Sequence, residues 1–203
     1  MEWTKEQILE EIARIKYLYK VKGIIRYGRE RDPWERAESV AEHVYAMMVL
    51  VNYFIPLEDP EGKLDRARIM DMALVHDIDE IENGDIINYK KTDEDRLREE
   101  QDMQTALDSI PQSMTIDTRA LVDEYNKQET RESQFVKAID KVEPVFELFD
   151  KYGKTIVHKN KTTYEQFIGP KSSYIRDFPM IVQFVEIMTE EMMKQGYFDH
   201  ADE

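Results

Sequence analysis

Ser39-Val40-Ala41-Glu42-His43-Val44-Tyr45-Ala46-Met47-Met48-Val49-Leu50-Val51-Asn52-Tyr53-Phe54 is the stretch that decides the fold. It opens with a capping box, in which the Ser39 hydroxyl and the Glu42 carboxylate satisfy each other's free amides. Behind the box, Val40, Met47, Leu50 and Phe54 recur at helical spacing around His43, so the imidazole belongs to the apolar face. Pro56 predicts that this helix ends at about Phe54. A histidine on a core face needs a partner, and for His43 alone a hydrogen bond to a carbonyl would be enough.

The same period runs outward in both directions. A first helix is expected from about Thr4, its N-cap, to Lys22. Others are expected over Leu64 to Asn83, closed by Gly84, and over Asp93 to Ser109, stopped by Pro111. Three more follow at about Asp117 to Asn126, Glu132 to Tyr152 and Pro179 to Gly196. There is no β-alternation of any length, no repeat and no low-complexity linker. The reading is one all-α domain over 1–203, a helical bundle with a core at about 10–150. A loop and helix occupy 151–196, and a short acidic tail 197–203.

Polar residues intrude on the predicted stripes. On the third helix Met70, Ala73 and Leu74 lead onto Asp77 and Ile81, so Asp77 interrupts an apolar run. His76 lies about 100° round the helix. Glu80 follows His76 by four residues and Asp77 by three, hence on the same side. On the sixth helix Phe135, Ile139, Val142, Phe146 and Phe149 form a stripe flanked by Asp140, and Pro144 predicts a kink. Taken singly, Glu80 reads as a solvated helix acid and Asp140 as the partner of Lys137 or Lys141. Taken together, His43, His76, Asp77 and Asp140 read as the ligands of one central divalent metal ion, which compensates all four at once. Glu38, Glu42, Glu80 and Asp85 surround them with more acid than a structural cluster needs.

The chain has no cysteine, so any such site is built from His and carboxylate. That donor set suits Mn, Fe, Co, Ni or Zn, and Mg among the harder ions, with water in the open positions. A bound metal lowers the pKa of its water from about 15.7 toward about 7, and nearby acids can shuttle protons.

Charge excludes some partners. Lys and Arg number 28 against 43 Asp and Glu, a net charge of −15, which argues against nucleic-acid binding. An anionic substrate must then be drawn in by a local positive feature. The N-terminal stretch MEWTKEQILEEI is amphipathic and carries no apolar run for a signal peptide or membrane span, so the chain reads as cytoplasmic, with no membrane partner. Residues 151–176 set Lys151, Lys154, His158, Lys159, Lys161, Lys171 and Arg176 against Glu165 alone. They read as a solvated loop, or as a basic lid over a phosphorylated substrate.

Three strings in order, Glu38-Ser39-Val40-Ala41-Glu42-His43, Leu74-Val75-His76-Asp77-Ile78-Asp79-Glu80 leading to Gly84-Asp85-Ile86, and Phe135-Val136-Lys137-Ala138-Ile139-Asp140, resemble the HD-domain metal-dependent phosphohydrolases. The likeness covers roughly residues 10 to 150 and is greatest to the branch of 5′-deoxynucleotidases. It implies an all-helical bundle with His43, His76, Asp77 and Asp140 on a central metal. It also implies Glu80 in general acid/base work and Asp85 orienting the nucleophile or a sugar hydroxyl. The substrate would be a small phosphorylated molecule, a (deoxy)nucleoside 5′-monophosphate, and the assembly a homodimer.

That branch places an Arg, then a Trp, at the end of the first helix, for phosphate and against a ribose 2′-hydroxyl. Here Lys20 takes the Arg position, Arg26 matches a second basic position, and no Trp follows. Lys neutralises phosphate without the bidentate fork of Arg. Trp34, in a longer loop, is the candidate replacement for the missing wall. Three other readings compete: an HD phosphohydrolase on another nucleotide or phosphorylated metabolite, a metal-containing regulatory module without turnover, and an all-α interaction protein with buried ion pairs.

Overall fold

The computed structural model describes residues 12–15, 17–26, 38–85 and 92–198. Thr4 and Trp34 lie outside them. Among the described residues helices α1 to α9 span Val40–Glu58, Arg66–Val75, Glu80–Asn83, Asp93–Ser109, Gln112–Lys127, Arg131–Glu147, Lys151–Lys159, Tyr164–Ile175 and Pro179–Lys194. No strand is found among them, only a bridge between Ile25 and Ser39. The all-α expectation holds.

Two compact units are built from interleaved stretches of chain, one up to Val44 and over Leu74–Asn126, the other over Tyr45–Ala73 and from Lys127 onward. In the first unit, helical turns at 12–15 and 17–18 lead into a 3-10 turn, Tyr19–Lys22. Its core joins Val75, Ile78, Ala106, Leu107, Ile110 and Val122, with Tyr17, Leu18 and Met103 packed against them. Arg14 donates to the carbonyls of Asp108 and Ile110 at the end of α4, where the helix dipole is negative. The bridge carries Arg26 N–H to Glu38 O at 3.0 Å and Val40 N–H to Ile24 O at 3.1 Å, which sets Arg26 beside Glu38.

The capping box forms as read. Ser39 N–H donates to Glu42 Oε2 at 2.6 Å, and Glu42 N–H to Ser39 Oγ at 3.3 Å. The helix it starts runs through Pro56 to Glu58, past the expected end. A proline removes one amide donor from the ladder, and beyond it Asp59 N–H still closes on Ile55 O. By length and composition α1 is apolar enough to cross a membrane. It also carries His43, which is fully buried.

In the second unit Phe54, Phe146 and Phe184 pack ring on ring, with Tyr53 edge-on to Phe54 and Phe184. The main-chain N–H of Ile181 is capped by Glu58. The expected helix over 132–152 stops at Glu147, and the expected loop after it is helical. Asp150 caps the amides of Tyr152 and Gly153 and starts α7. Gly153 lies so close to Leu148 that a Cβ there would overlap the Leu148 carbonyl. The basic run is partly used within this unit. Lys154 Nζ donates to Gln195 O and His158 Nε2 contacts Gly196 O, at the C-terminal end of α9. Lys171 donates to Phe167 O within its own helix.

Candidate metal centre and catalytic site

His43 stands one turn into α1, and its N–H closes on Ser39 O at 2.9 Å. Val40, Met47, Leu50 and Phe54 on its face are all buried, as their spacing required. The third expected helix breaks. Regular α-helix ends at Val75, and His76 to Asp79 form turns before Glu80–Asn83. Amides there reach back three residues instead of four: Ile78 to Val75, Glu80 to Asp77, Ile81 to Ile78 and Glu82 to Asp79. Each residue then turns through about 120° rather than 100°. His76 is inside at 3% exposure and Asp77 sits half-buried next to it, while Leu74 is 53% exposed, off the stripe on which the helical reading placed it.

The break brings three donors together. A ring nitrogen of His43, one of His76 and a carboxylate oxygen of Asp77 all lie within 4.8 Å of one another. Asp77 Oδ2 is 3.8 Å from His43 Nε2 and 3.1 Å from His76 Nε2. The two buried Nε2 atoms make no hydrogen bond, and both lie beside the Asp77 carboxylate. The rings are 5.6 Å apart and tilted by 52°. Two imidazole nitrogens and one carboxylate oxygen around a common point fit a divalent transition metal, with positions left for water and substrate.

Tyr125, on α5, packs its ring edge-on to His76 at 5.2 Å and fixes the imidazole plane. Its place on the buried row Thr118, Val122, Tyr125 was readable as core. Nothing local in the sequence pairs it with His76.

Glu80 opens α3 with its Oε2 buried and making no hydrogen bond. Burial pushes its pKa well above the usual glutamate range. The charges of Asp77 and Asp85 push the same way, and Arg26 opposes them. A carboxyl whose proton is held more tightly by burial and by neighbouring acids is suited to general acid work.

Arg26 is buried, with Nη1 3.3 Å from Glu38 Oε2 and Nε 3.8 Å from Asp85 Oδ2. Its guanidinium therefore already faces two protein carboxylates, where the sequence reading gave it a phosphate. Lys20 is exposed in the 3-10 turn, its ammonium 4.6 Å above the ring of Tyr17. Glu42 is exposed and committed to the capping box. Asp140 belongs to the second unit, buried on α6, with Oδ2 2.8 Å from Lys141 Nζ and 3.7 Å from Lys137 Nζ.

A model of the HD domain family matches residues 18–181. The 5′-deoxynucleotidase HDDC2 of Xenopus laevis is 28% identical over 180 residues, which are 87% of this chain and 85% of that one. The Homo sapiens protein of the same name is 27% identical over 85% of this chain and 81% of its own. The 5′-deoxynucleotidase hdd1 of Schizosaccharomyces pombe is 30% identical over 66% and 68%. Among solved structures, a predicted metal-dependent phosphohydrolase from Magnetospirillum magnetotacticum gives a TM-score of 0.79 at 21% identity, covering 95% of this chain and 96% of that one. An HD-domain phosphohydrolase from Listeria innocua gives 0.64 at 21% identity, covering 90% and 89%. These two share the fold. The family match runs through His43, the His76-Asp77 pair and Asp140, and the chain belongs to the HD domain family.

Proposed function

We propose that this protein is a metal-dependent phosphohydrolase that cleaves nucleoside 5′-monophosphates, deoxynucleotides among them, to nucleoside and phosphate. The observation that carries the reading is the convergence of His43, His76 and Asp77 beside Glu80, a carboxyl whose pKa is raised by burial and by Asp77 and Asp85. A structural metal site has no need of such an acid at its edge. Relatives named 5′-deoxynucleotidase supply the substrate class.

In this reading His43, His76, Asp77 and Asp140 hold one divalent ion. Such an ion supplies an acidified water and positive charge for the phosphate oxygens. Glu80 gives its proton to the departing 5′-oxygen. Asp85, oriented by Arg26, accepts from the attacking water and aims it at phosphorus. Lys20 balances phosphate charge from the exposed 3-10 turn. Support for Asp140 is its burial and the Phe135–Asp140 string; its lysine contacts are what a ligand role has to displace. The family match, which runs through segments of both units, supports reading them as one functional domain. A cytoplasmic homodimer completes the proposal, on the resemblance alone.

Phosphate release from ribo- and deoxynucleoside 5′-monophosphates, with Mn, Co, Ni, Mg and Zn supplied in turn, tests the function. Turnover of deoxynucleotides with at least one metal is expected. No release from any nucleotide with any metal would overturn it. The Lys20 position favours one second reading: with no fork to fix the phosphate, ribonucleotides are turned over comparably, and the same panel reads that out.

A further inference from the structure

We propose that Tyr17 is a positioning residue that ties the phosphate-facing lysine, Lys20, to the short helix carrying Glu80; this rests on the function proposed above.

Helix α3 is only Glu80–Asn83, one turn, and its N-cap Asp79 makes no side-chain capping bond. A single turn does not hold itself in water, so its orientation comes from outside contacts. Ile81, 8% exposed, anchors one side. On another, Tyr17 Oη donates to Glu82 Oε1 at 2.6 Å, across 65 residues of sequence. The 3-10 turn Tyr19–Lys22 packs against the same short helix. The Tyr17 ring bears the Lys20 ammonium on its face, 4.6 Å from the centroid. One side chain thus holds by its hydroxyl the helix that carries Glu80, and by its ring the cation assigned above to phosphate. Burial and the Glu82 carboxylate both raise the Tyr17 pKa, so the hydroxyl keeps its proton across the working range. Neither Tyr17 nor Glu82 needs to touch substrate for this.

The two roles separate by substitution. Tyr17→Phe keeps the ring and loses the bond to Glu82. Because small misplacements of a reacting group are costly, kcat for a deoxynucleoside 5′-monophosphate should fall about tenfold, with KM and inhibition by inorganic phosphate within about twofold. Tyr17→Leu also loses the ring, and should raise both KM and the phosphate inhibition constant a further ~3-fold or more. Glu82→Leu should reproduce Tyr17→Phe, the double variant should be no worse than either single, and Glu82→Gln, whose amide oxygen still accepts, should recover most of the loss. Melting temperature is followed throughout; a purely structural residue would lower it in step with kcat and would not split kcat from KM.

Unchanged kcat in Tyr17→Phe, or multiplicative losses in the double variant, would overturn the inference. Should Tyr17→Phe fail to fold, the exposed Glu82 pair of variants decides it. Wild-type protein that turns over no nucleotide defeats the proposed function, and this inference with it; wild-type turnover with an unimpaired Tyr17→Phe defeats the positioning role alone.

Discussion

His76 Nε2 lies 3.1 Å from Oδ2 of its sequence neighbour Asp77, an approach set up where regular helix gives way to tight turns after Val75. The adjacent pair reaches one point because the backbone rotates further per residue through the break. His43 arrives at the same oxygen, 3.8 Å away, from a different helix.

Asp77→Ala should therefore remove metal and turnover together. Its carboxylate is the oxygen that the structure sets beside both imidazoles, and without it the remaining donors make a weaker, poorly specified site. Metal content of the purified variant by elemental analysis checks this, and a fully active, metal-free Asp77→Ala would refute the assignment. The same measurement on Asp140→Ala decides between a ligand and a partner of Lys141: a ligand loses metal, a lysine partner loses only stability.

Glu80→Gln should keep the metal and lose most of the rate, by about 10²- to 10⁴-fold, the usual contribution of a general acid. Retained turnover would take Glu80 out of the chemistry.

The same substitution has a pH signature in metal-free protein. The folded-state pKa of Glu80 lies above its ordinary value of 4.5, so the folded chain binds this proton more tightly than the unfolded chain. The contribution to stability is then fully present below pH 4.5 and is lost as pH rises toward the folded-state value. Glu80→Gln removes that loss, so in chelator it should melt higher than wild type at neutral pH, with the difference closing under acid conditions. Thermal melts across pH 4 to 8 on both proteins check the sign (window chosen about the ordinary carboxylate range).

Arg26→Ala should lower kcat more than it raises KM. The guanidinium faces Glu38 and Asp85 and offsets the acids around Glu80. Removing it leaves buried carboxylates uncompensated, which costs about 3–5 kcal/mol in comparable buried pairs. A rise in KM with unchanged kcat would instead restore the phosphate role read from the sequence.

Ser39→Ala should cost about 1 kcal/mol and lower the melting temperature by about 2–4 °C. It removes the hydroxyl that accepts from Glu42 N–H in the turn that carries His43. Calorimetry measures this directly.

Much of the molecule was legible because its signals are local. The Ser39–Glu42 box and the row Val40, Met47, Leu50, Phe54 committed α1 and buried His43 before any packing was known. Asp93–Ser109 came out with its expected bounds, capped by Thr92 and Asp95. The three candidates that the structure brings together, His43, His76 and Asp77, stood out for the same reason: a polar group at a core position departs from its period.

Contacts between distant stretches were not legible. Period alone extended one helix over residues 64–83, and only packing decided that it breaks after Val75 and leaves Leu74 exposed. The resemblance alone proposed Arg26 for a phosphate, and only the bridge at Ile25 and Ser39 sets its guanidinium beside Glu38 and Asp85. Net charge made 151–176 a loop, yet the Asp150 cap and the close packing of Gly153 on Leu148 made it helical. The sequence by itself determined where α1 starts, where α4 runs and that His43 would be buried, since propensity, capping and periodicity act within a few residues. The tertiary structure alone decided where a helix must yield, which carboxylate meets which cation and which acid has its pKa raised, because those outcomes depend on desolvation and on charges brought close by folding.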